Sequence, residues 1–177
     1  MRKYDYREAV CEDIRQCLNY RGLSAVTADN RDEVYEELYN ELWIEDSVTG
    51  NASGSYTFST WQAEENLCHN MDLLQEACDE FCCEPKVDSA EWCDVTIRCY
   101  LLGECLSAVL DECVEEFEQE LSNANSWWNN AGFGLMERVT GIHAIDFEDS
   151  DEFVDECDNY WNDLDDEDKV SKYHEHR

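Results

Sequence analysis

Residues 88–121 read DSAEWCDVTIRCYLLGECLSAVLDECVEEFEQEL and carry the longest helical pattern in the chain. Asp88 with Glu91 three residues later is typical of a helix start, and apolar side chains then return every three or four residues. At about 1.5 Å per residue, this helix would be roughly 45 to 50 Å long. We therefore predict a long helix that forms the spine of the fold. Its apolar positions are Val95, Tyr100, Leu102, Leu106, Val109, Leu110, Cys113, Val114, Phe117 and Leu121.

Shorter helical patterns lie on both sides of this segment. They cover residues 4–20, residues from 30 onward, residues 59–81 and residues from about 150 to 164. The chain contains one proline in 177 residues, so little interrupts these helices. The predicted fold class is mainly α: a helical bundle of about five helices around one long helix, with a small irregular or β element near residues 56–58 and 133–147. We predict a single helical domain over residues 1–164 and a solvated acidic and polar tail over residues 165–177.

The charge of the chain is strongly unbalanced. It has 44 acidic and 12 basic side chains, a formal net charge of −32 at pH 7. Residues 1–31 hold 6 basic and 5 acidic side chains, a net charge of +1. Residues 32–137 hold 2 basic and 25 acidic side chains (net −23), and residues 138–177 hold 4 basic and 14 acidic side chains (net −10). The negative excess therefore begins after the first predicted helix.

This charge excludes whole classes of function. Nucleic-acid binding requires a basic surface that replaces condensed counterions, and anionic membranes repel an acidic chain for the same reason. The N-terminal residues MRKYDYREAV have no apolar core of the kind found in a secretion signal. We therefore expect no direct nucleic-acid contact, no membrane contact and a cytoplasmic protein.

The sequence offers no pattern that is typical of catalysis or of a metal centre. Residues 50–54 read GNASG, so the serine stands one place too late for a nucleophile elbow. Cys78 and Cys82 share a helix face at i, i+4, but no second cysteine pair or nearby histidine completes a zinc site. Most of the 11 cysteines fall on apolar faces, which is typical of reduced core thiols. We predict no catalytic residue, no metal and no cofactor.

The acidic residues destabilise the helices that carry them. Like charges at i, i+4 cost about 0.2 to 0.5 kcal/mol each, and ten such pairs in the predicted helices, from Glu33/Glu37 to Glu152/Glu156, would cost about 2 to 5 kcal/mol together. Solubility alone needs a much smaller net charge. Three explanations remain open: adaptation to high salt, an acidic adaptor or chaperone-like module for a basic protein, and imitation of nucleic acid.

Imitation of nucleic acid is physically feasible. B-DNA carries one charge per roughly 1.7 Å, so 32 charges correspond to about 16 base pairs. Carboxylates three or four residues apart on a helix lie roughly 5 to 6 Å from each other, which is comparable to neighbouring phosphates. An arginine that binds phosphate or guanine in bidentate fashion accepts a carboxylate in the same geometry. Such a surface would occupy a DNA-binding channel without any catalytic residue.

Two segments carry a resemblance to known proteins. They read YTFSTWQAEENLCHNMDLL at residues 56–74 and WCDVTIRCYLLGECL at residues 92–106, together 34 of the 177 residues. These segments and the overall composition resemble small acidic phage and mobile-element proteins of the anti-CRISPR or antirestriction DNA-mimic type. The resemblance implies a non-enzymatic inhibitor of a bacterial defence nuclease. The signature of the antirestriction family itself is missing, so a CRISPR effector stands ahead of a restriction enzyme as the target.

The candidate contacts of such an inhibitor are outward-facing acids on two predicted helices, with two tryptophans as secondary candidates. The expected partner is a basic DNA- or RNA-binding protein, with a CRISPR effector nuclease as the leading case. Trp127 and Trp128 stand in a polar stretch, where core packing is the alternative to partner contact. The predicted partner-binding acids are Glu112, Glu115, Glu116, Glu118, Glu120, Asp149, Asp151, Glu152, Asp155, Glu156 and Asp158.

Overall fold

The computed structural model describes residues 4–21, 25–42 and 60–177. The prediction of a mainly α fold with one long helix is confirmed. Within these residues the chain forms eight α-helices and no strand, where the sequence indicated about five helices. The helices are α1 (Tyr6–Arg21), α2 (Arg31–Leu42), α3 (Thr60–Leu67), α4 (Met71–Glu80), α5 (Ala90–Asn129), α6 (Phe133–Thr140), α7 (Ser150–Asp163) and α8 (Asp166–His176).

Helix α5 has 40 residues and is longer than its apolar pattern predicted. The pattern weakens after Leu121, but Ala124 and Trp128 are buried at i, i+4 spacing and continue the apolar stripe to the end of the helix. The first half of α5 supplies much of the core. Its side chains with at most 1% exposure are Cys93, Asp94, Val95, Thr96, Ile97, Leu101, Leu102, Leu106, Val109 and Leu110.

The chain divides into two compact units. The first unit spans Met1–Glu112 and the second spans Cys113–Arg177. The second unit has its own apolar core, in which Phe153, Cys157 and Trp161 of α7 contact residues of α5 and α6. A separate core in each unit explains the division, because the apolar side chains of each unit bury one another.

Residues 166–176, which lie in the segment predicted as a solvated tail, form α8. The Asp165 side chain accepts a hydrogen bond from the Asp168 backbone N–H at 2.8 Å and caps the helix start. Val170 is buried, and Tyr173 packs against the core of the second unit. Two apolar residues in a strongly polar segment are enough to anchor α8, although they give too weak a pattern to predict it.

The predicted third helix over residues 59–81 is interrupted. Helix α3 ends at Leu67 and α4 begins at Met71, with buried Asn70 between them. The Asn70 side-chain amide donates hydrogen bonds to the backbone oxygens of Tyr4 at 3.0 Å and Asn66 at 2.8 Å. An asparagine side chain that bonds to backbone in this way favours a break in the helix over its continuation.

The irregular or β element predicted at residues 133–147 is helical. Gly141 follows the last residue of α6 and caps the helix. Its φ of 75° is in the left-handed region, which glycine adopts without strain. A short 3-10 turn, Ala144–Asp146, follows and is tied to α6 by a hydrogen bond from the Ala144 N–H to Glu137 at 2.8 Å. The other part of that prediction, residues 56–58, lies outside the described residues.

The end of α4 places a cysteine where a glycine is the usual residue. Cys82 has φ 50°, and the backbone N–H groups of Cys82 and Cys83 donate to the carbonyls of Asp79 at 3.2 Å and Cys78 at 3.0 Å. These two bonds form a Schellman turn, in which Cys82 holds the left-handed position. Among the described residues, Cys82 is the only non-glycine residue with positive φ.

Replacing Cys82 by glycine is expected to stabilise the protein. The left-handed conformation costs a side-chain-bearing residue roughly 1 to 2 kcal/mol, whereas the added freedom of the unfolded chain costs about 0.4 to 1 kcal/mol. We expect Cys82→Gly to raise the free energy of unfolding by about 0.5 to 1 kcal/mol in urea melts. Cys68→Gly is the matched control at an exposed cysteine without positive φ, and it is expected to lower stability. Equal effects of the two substitutions would contradict this account.

Candidate protein-binding surface

The acids on the second half of α5 face solvent. Glu115, Glu116, Glu118 and Glu120 are exposed, because they lie off the helix stripe that carries the apolar residues. Glu120 has a histidine neighbour, with His174 Nε2 at 3.3 Å from its carboxylate. Within the described residues, no cation forms an ion pair with the other three glutamates. The second unit therefore presents these three carboxylates to solvent.

Glu112 differs from the other predicted contacts on α5. It belongs to the first unit, and Arg15 of α1 donates a hydrogen bond to its carboxylate at 2.7 Å. This bond raises the pKa of the Arg15 guanidinium above its usual value. Unlike Glu115 and Glu118, Glu112 is therefore already paired with an arginine of its own unit.

The same pairing recurs along the first half of α5. Arg7 pairs with Glu104, and Arg31 Nε donates to Asp111 at 2.6 Å. These arginines come from α1 and from the start of α2, the part of the sequence where basic residues concentrate. Surface ion pairs of this kind contribute only about 0 to 1 kcal/mol each, but they lower the negative charge that the first unit offers to a partner.

On α7, the predicted acids divide into a solvent-facing group and a group that holds the fold. Asp151, Glu152, Asp155 and Glu156 are exposed, and none forms an ion pair within the described residues. The other two, Asp149 and Asp158, act as hydrogen-bond acceptors for the protein itself.

The two structural acids of α7 have identifiable partners. Asp149 is the N-cap of α7 and accepts a hydrogen bond from the Asp151 backbone N–H at 2.9 Å. Asp158 is half-buried and accepts a hydrogen bond from the Trp128 indole N–H at 2.8 Å. The Asp158 carboxylate therefore serves as the acceptor for the indole N–H of a buried tryptophan.

The two candidate tryptophans belong to the core of the second unit. Trp128 is 3% exposed and stacks on Trp161 at 4.7 Å between ring centroids with an interplanar angle of 4°. Trp127 is half-buried, and its ring centroid lies 6.1 Å from that of Trp161 and 5.7 Å from that of Tyr173. The stretch that contains them is helical, so it buries these rings against α7 and α8. Trp128 is thus packed in the core of the second unit.

Seven predicted acids remain exposed and without an ion pair in the described residues of the second unit, and we call them the unpaired set. The second unit holds 4 basic and 19 acidic residues, the unpaired set included, which gives a net charge of −15 over 65 residues. The first unit holds 8 basic and 25 acidic residues, a net charge of −17 over 112 residues. The lysines of the second unit pair with α8 itself, Lys169 with Asp166 and Lys172 with Glu175. The unpaired set consists of Glu115, Glu116, Glu118, Asp151, Glu152, Asp155 and Glu156.

A buried charged network lies in the first unit, and the sequence analysis missed it. Asp94 is fully buried, accepts a hydrogen bond from Tyr6 Oη at 2.6 Å and pairs with Arg98 at 2.8 Å. Arg98 also contacts Asp13 at 3.2 Å and donates to Tyr4 Oη at 2.8 Å. The signal in the sequence was an Asp and an Arg at i, i+4 inside an apolar helix stripe.

This network shifts the titration of its members. Burial, followed by the charge of Asp94, raises the pKa of the Tyr6 hydroxyl well above its usual value. Burial alone would lower the pKa of Arg98, but its pairing with Asp94 outweighs this and raises it. Burial also raises the pKa of Asp13. Each group hydrogen-bonds or ion-pairs with another group in the network, so the arrangement links α1 and the residues before it to α5.

The described residues contain neither a metal-ion cluster nor a membrane-spanning helix. Across residues 4–21, 25–42 and 60–177, His, Cys, Asp and Glu side chains form no cluster of three or more that could hold a metal ion. Over the same ranges, each helix is too short or too polar to cross a bilayer. No protein-family model, curated protein or solved structure matches this chain. The charge distribution and the contacts of the second unit are therefore the basis for assigning a function.

Proposed function

We propose that this chain is a non-enzymatic inhibitor of a bacterial defence nuclease and acts in the cytoplasm of the bacterial host. Its acidic surface would imitate DNA and occupy the nucleic-acid-binding site of the nuclease. A CRISPR effector is the proposed target, in line with the similarity of the chain's overall profile to anti-CRISPR and antirestriction DNA mimics. The unpaired set in the second unit is the single observation that carries this proposal.

The two units differ in which of their carboxylates already form ion pairs within the protein. In the first unit, arginines of α1 and α2 already neutralise Glu104, Asp111 and Glu112. In the second unit, the unpaired set has no such partners among the described residues, so its charges act on any approaching basic surface. Uncompensated charge of one sign raises association rates with an oppositely charged partner and makes them depend on salt.

The spacing of the unpaired set suits an arginine-rich channel. Glu115 and Glu118 are three residues apart on α5, and Glu152 and Glu156 are four apart on α7, so each pair projects from one helix face. Side chains at these spacings lie roughly 5 to 6 Å apart. Each carboxylate offers the two oxygens that an arginine fork binds on a phosphate. The net charge of −15 in the second unit corresponds to that of about seven base pairs.

The first experiment identifies the target. The purified chain is immobilised and exposed to lysate from a bacterium that expresses a CRISPR effector with its guide RNA. We expect the effector to be retained at low salt and released as salt rises, and we expect its cleavage of target DNA to stop when the chain is added. An effector that binds the chain yet cleaves DNA at the normal rate would contradict the proposal and would favour an acidic adaptor instead.

Charge neutralisation in each unit then tests where binding occurs. Replacing Glu115, Glu116 and Glu118 by Gln is expected to lower affinity for the effector by at least about tenfold, which is about 1.4 kcal/mol, because three unpaired charges leave the contact surface. We also expect the dependence of affinity on salt to become weaker, because fewer counterions are released on binding. Affinity is measured by titration at two salt concentrations.

The matched control changes the same number of charges in the first unit. Asp72, Glu76 and Glu80 are exposed on α4 with helical spacing, and Asp72→Asn, Glu76→Gln and Glu80→Gln remove three charges. This control is expected to leave affinity within about threefold of the unchanged protein, apart from the small effect of net charge. Both triple variants remove like-charge pairs, so neither should lose stability. Equal losses of affinity in the two variants would show that net charge, not the second unit, determines binding.

A further inference from the structure

The Schellman turn at the end of α4 brings two cysteines together that sequence spacing does not pair. The i, i+4 spacing pairs Cys78 with Cys82, but α4 ends at Glu80 and the left-handed Cys82 reverses the chain. The Cys83 N–H consequently reaches the Cys78 carbonyl at 3.0 Å. Side chains at these two positions of such a turn are often in contact, and here the Cys83 thiol hydrogen-bonds with Cys78. Cys83 is therefore the cysteine of this turn that meets Cys78.

The environments of the three cysteines differ. Cys78 is fully buried, Cys83 is half-buried and Cys82 is exposed. Burial, followed by a hydrogen bond with the Cys83 thiol, raises the pKa of Cys78 to about 12. A further buried thiol, Cys93, lies close enough to influence Cys78, and its own Sγ donates to the Lys86 carbonyl at 3.4 Å. The pair therefore has one thiol that solvent reaches and one that it does not.

We propose that Cys78 and Cys83 are a dithiol site that closes to a disulfide by exchange with a small-molecule disulfide such as glutathione disulfide. The contact across the turn already brings the two side chains together, as a short disulfide requires. Closure would covalently join the end of α4 to the segment that leads into α5. This inference is independent of the proposed function, because it concerns the first unit and needs no partner protein.

The exchange proceeds in two steps whose atoms and electrons balance. The Cys83 thiolate, being accessible, attacks one sulfur of glutathione disulfide, forms a mixed disulfide and releases one glutathione thiolate, which takes up the proton lost by Cys83. Cys78 then loses its proton to solvent base and attacks the Cys83 sulfur, and the second glutathione leaves as a thiol. The two cysteines are oxidised, and one glutathione disulfide is reduced to two glutathione molecules.

Peptide mapping of the full chain tests this inference. The reduced protein is incubated with glutathione disulfide, free thiols are blocked, and the protein is cleaved after glutamate, which separates Cys78 from Cys82 and Cys83 at Glu80. We expect a disulfide-linked pair of peptides, Ala77–Glu80 with Phe81–Glu91, because the bond between Glu84 and Pro85 resists cleavage. The mass of the linked pair is expected to be two hydrogens below the sum of the two peptides with Cys78 and Cys83 reduced. Absence of the linked pair, or a link from Cys78 to Cys93, would overturn the inference.

Two single variants identify the partner of Cys78. Cys83→Ser is expected to abolish the linked peptide, whereas the matched control Cys82→Ser, at the adjacent exposed cysteine, is expected to retain it. Loss of the linked peptide in Cys82→Ser and its retention in Cys83→Ser would show that Cys78 pairs with Cys82, and this result would also overturn the inference. The unchanged protein provides a result that does not depend on whether either variant folds.

Discussion

Asp94→Ala is expected to destabilise the protein by about 3 to 5 kcal/mol. Asp94 is fully buried, and its removal leaves the Tyr6 hydroxyl and the Arg98 Nε–H without their acceptor in the core. A buried charge that loses its partner is far more costly than a pair that never formed. The effect is measured as a lower midpoint of unfolding in urea, together with loss of helical circular dichroism at temperatures where the unchanged protein is folded.

The control for this prediction is an acid–arginine pair on the surface of the same unit. Asp111 accepts a hydrogen bond from Arg31 at 2.6 Å, but its side chain is 59% exposed. Asp111→Ala is expected to cost less than about 1 kcal/mol, because water replaces the lost partner. Burial is the main difference between the two sites. Similar losses of stability for Asp94→Ala and Asp111→Ala would contradict the role assigned to the buried network.

Trp161→Ala is expected to cost about 3 to 5 kcal/mol in the second unit. Trp161 is 3% exposed, stacks on Trp128 and donates its indole N–H to Asn125 at 3.0 Å. The substitution therefore leaves a cavity beside the ring of Trp128 and an unpaired Asn125. We expect hydrogen exchange of the backbone amides in α6, α7 and α8 to accelerate, and near-ultraviolet circular dichroism from stacked tryptophans to fall.

Two further substitutions separate the ring from its hydrogen bond. Trp161→Phe keeps an aromatic ring and loses only the indole N–H and some volume, so a smaller loss, about 1 to 2 kcal/mol, is expected. Tyr20→Ala changes an aromatic residue that is 96% exposed in the first unit and is expected to leave stability nearly unchanged. A protein that tolerates Trp161→Ala as well as Tyr20→Ala would not have the aromatic core described above.

The sequence predicted the long helix well because its apolar residues return at helical spacing over more than 30 positions. It placed the end of that helix too early, since residues 123–129 are mostly polar and their helical state depends on Trp128 packing against Trp161 of α7. The break at Asn70 was missed for a similar reason. The break depends on a hydrogen bond that the Asn70 side-chain amide donates to the backbone carbonyl of Tyr4, 66 positions away.

The candidate surface was predictable in part. Acids such as Glu115 and Glu152 lie off the apolar stripe, so periodicity alone indicates that they face solvent. Periodicity does not reveal which of these acids have partners. The pairs Arg15 with Glu112 and Trp128 with Asp158 join residues 97 and 30 positions apart, and neither pairing leaves a local pattern. Long-range contacts account for three of the four acids left out of the unpaired set, Glu112, Glu120 and Asp158, and the fourth, Asp149, is the local N-cap of α7.

Competition with DNA tests whether the acidic surface replaces nucleic acid in the binding site of the effector. A fluorescent DNA duplex is bound to the purified effector, and the chain is added at increasing concentration. We expect the chain to displace the duplex completely, so that the apparent Kd for DNA rises in proportion to the concentration of the chain. A ternary complex, in which effector, DNA and chain are bound at once and the Kd for DNA is unchanged, would contradict it.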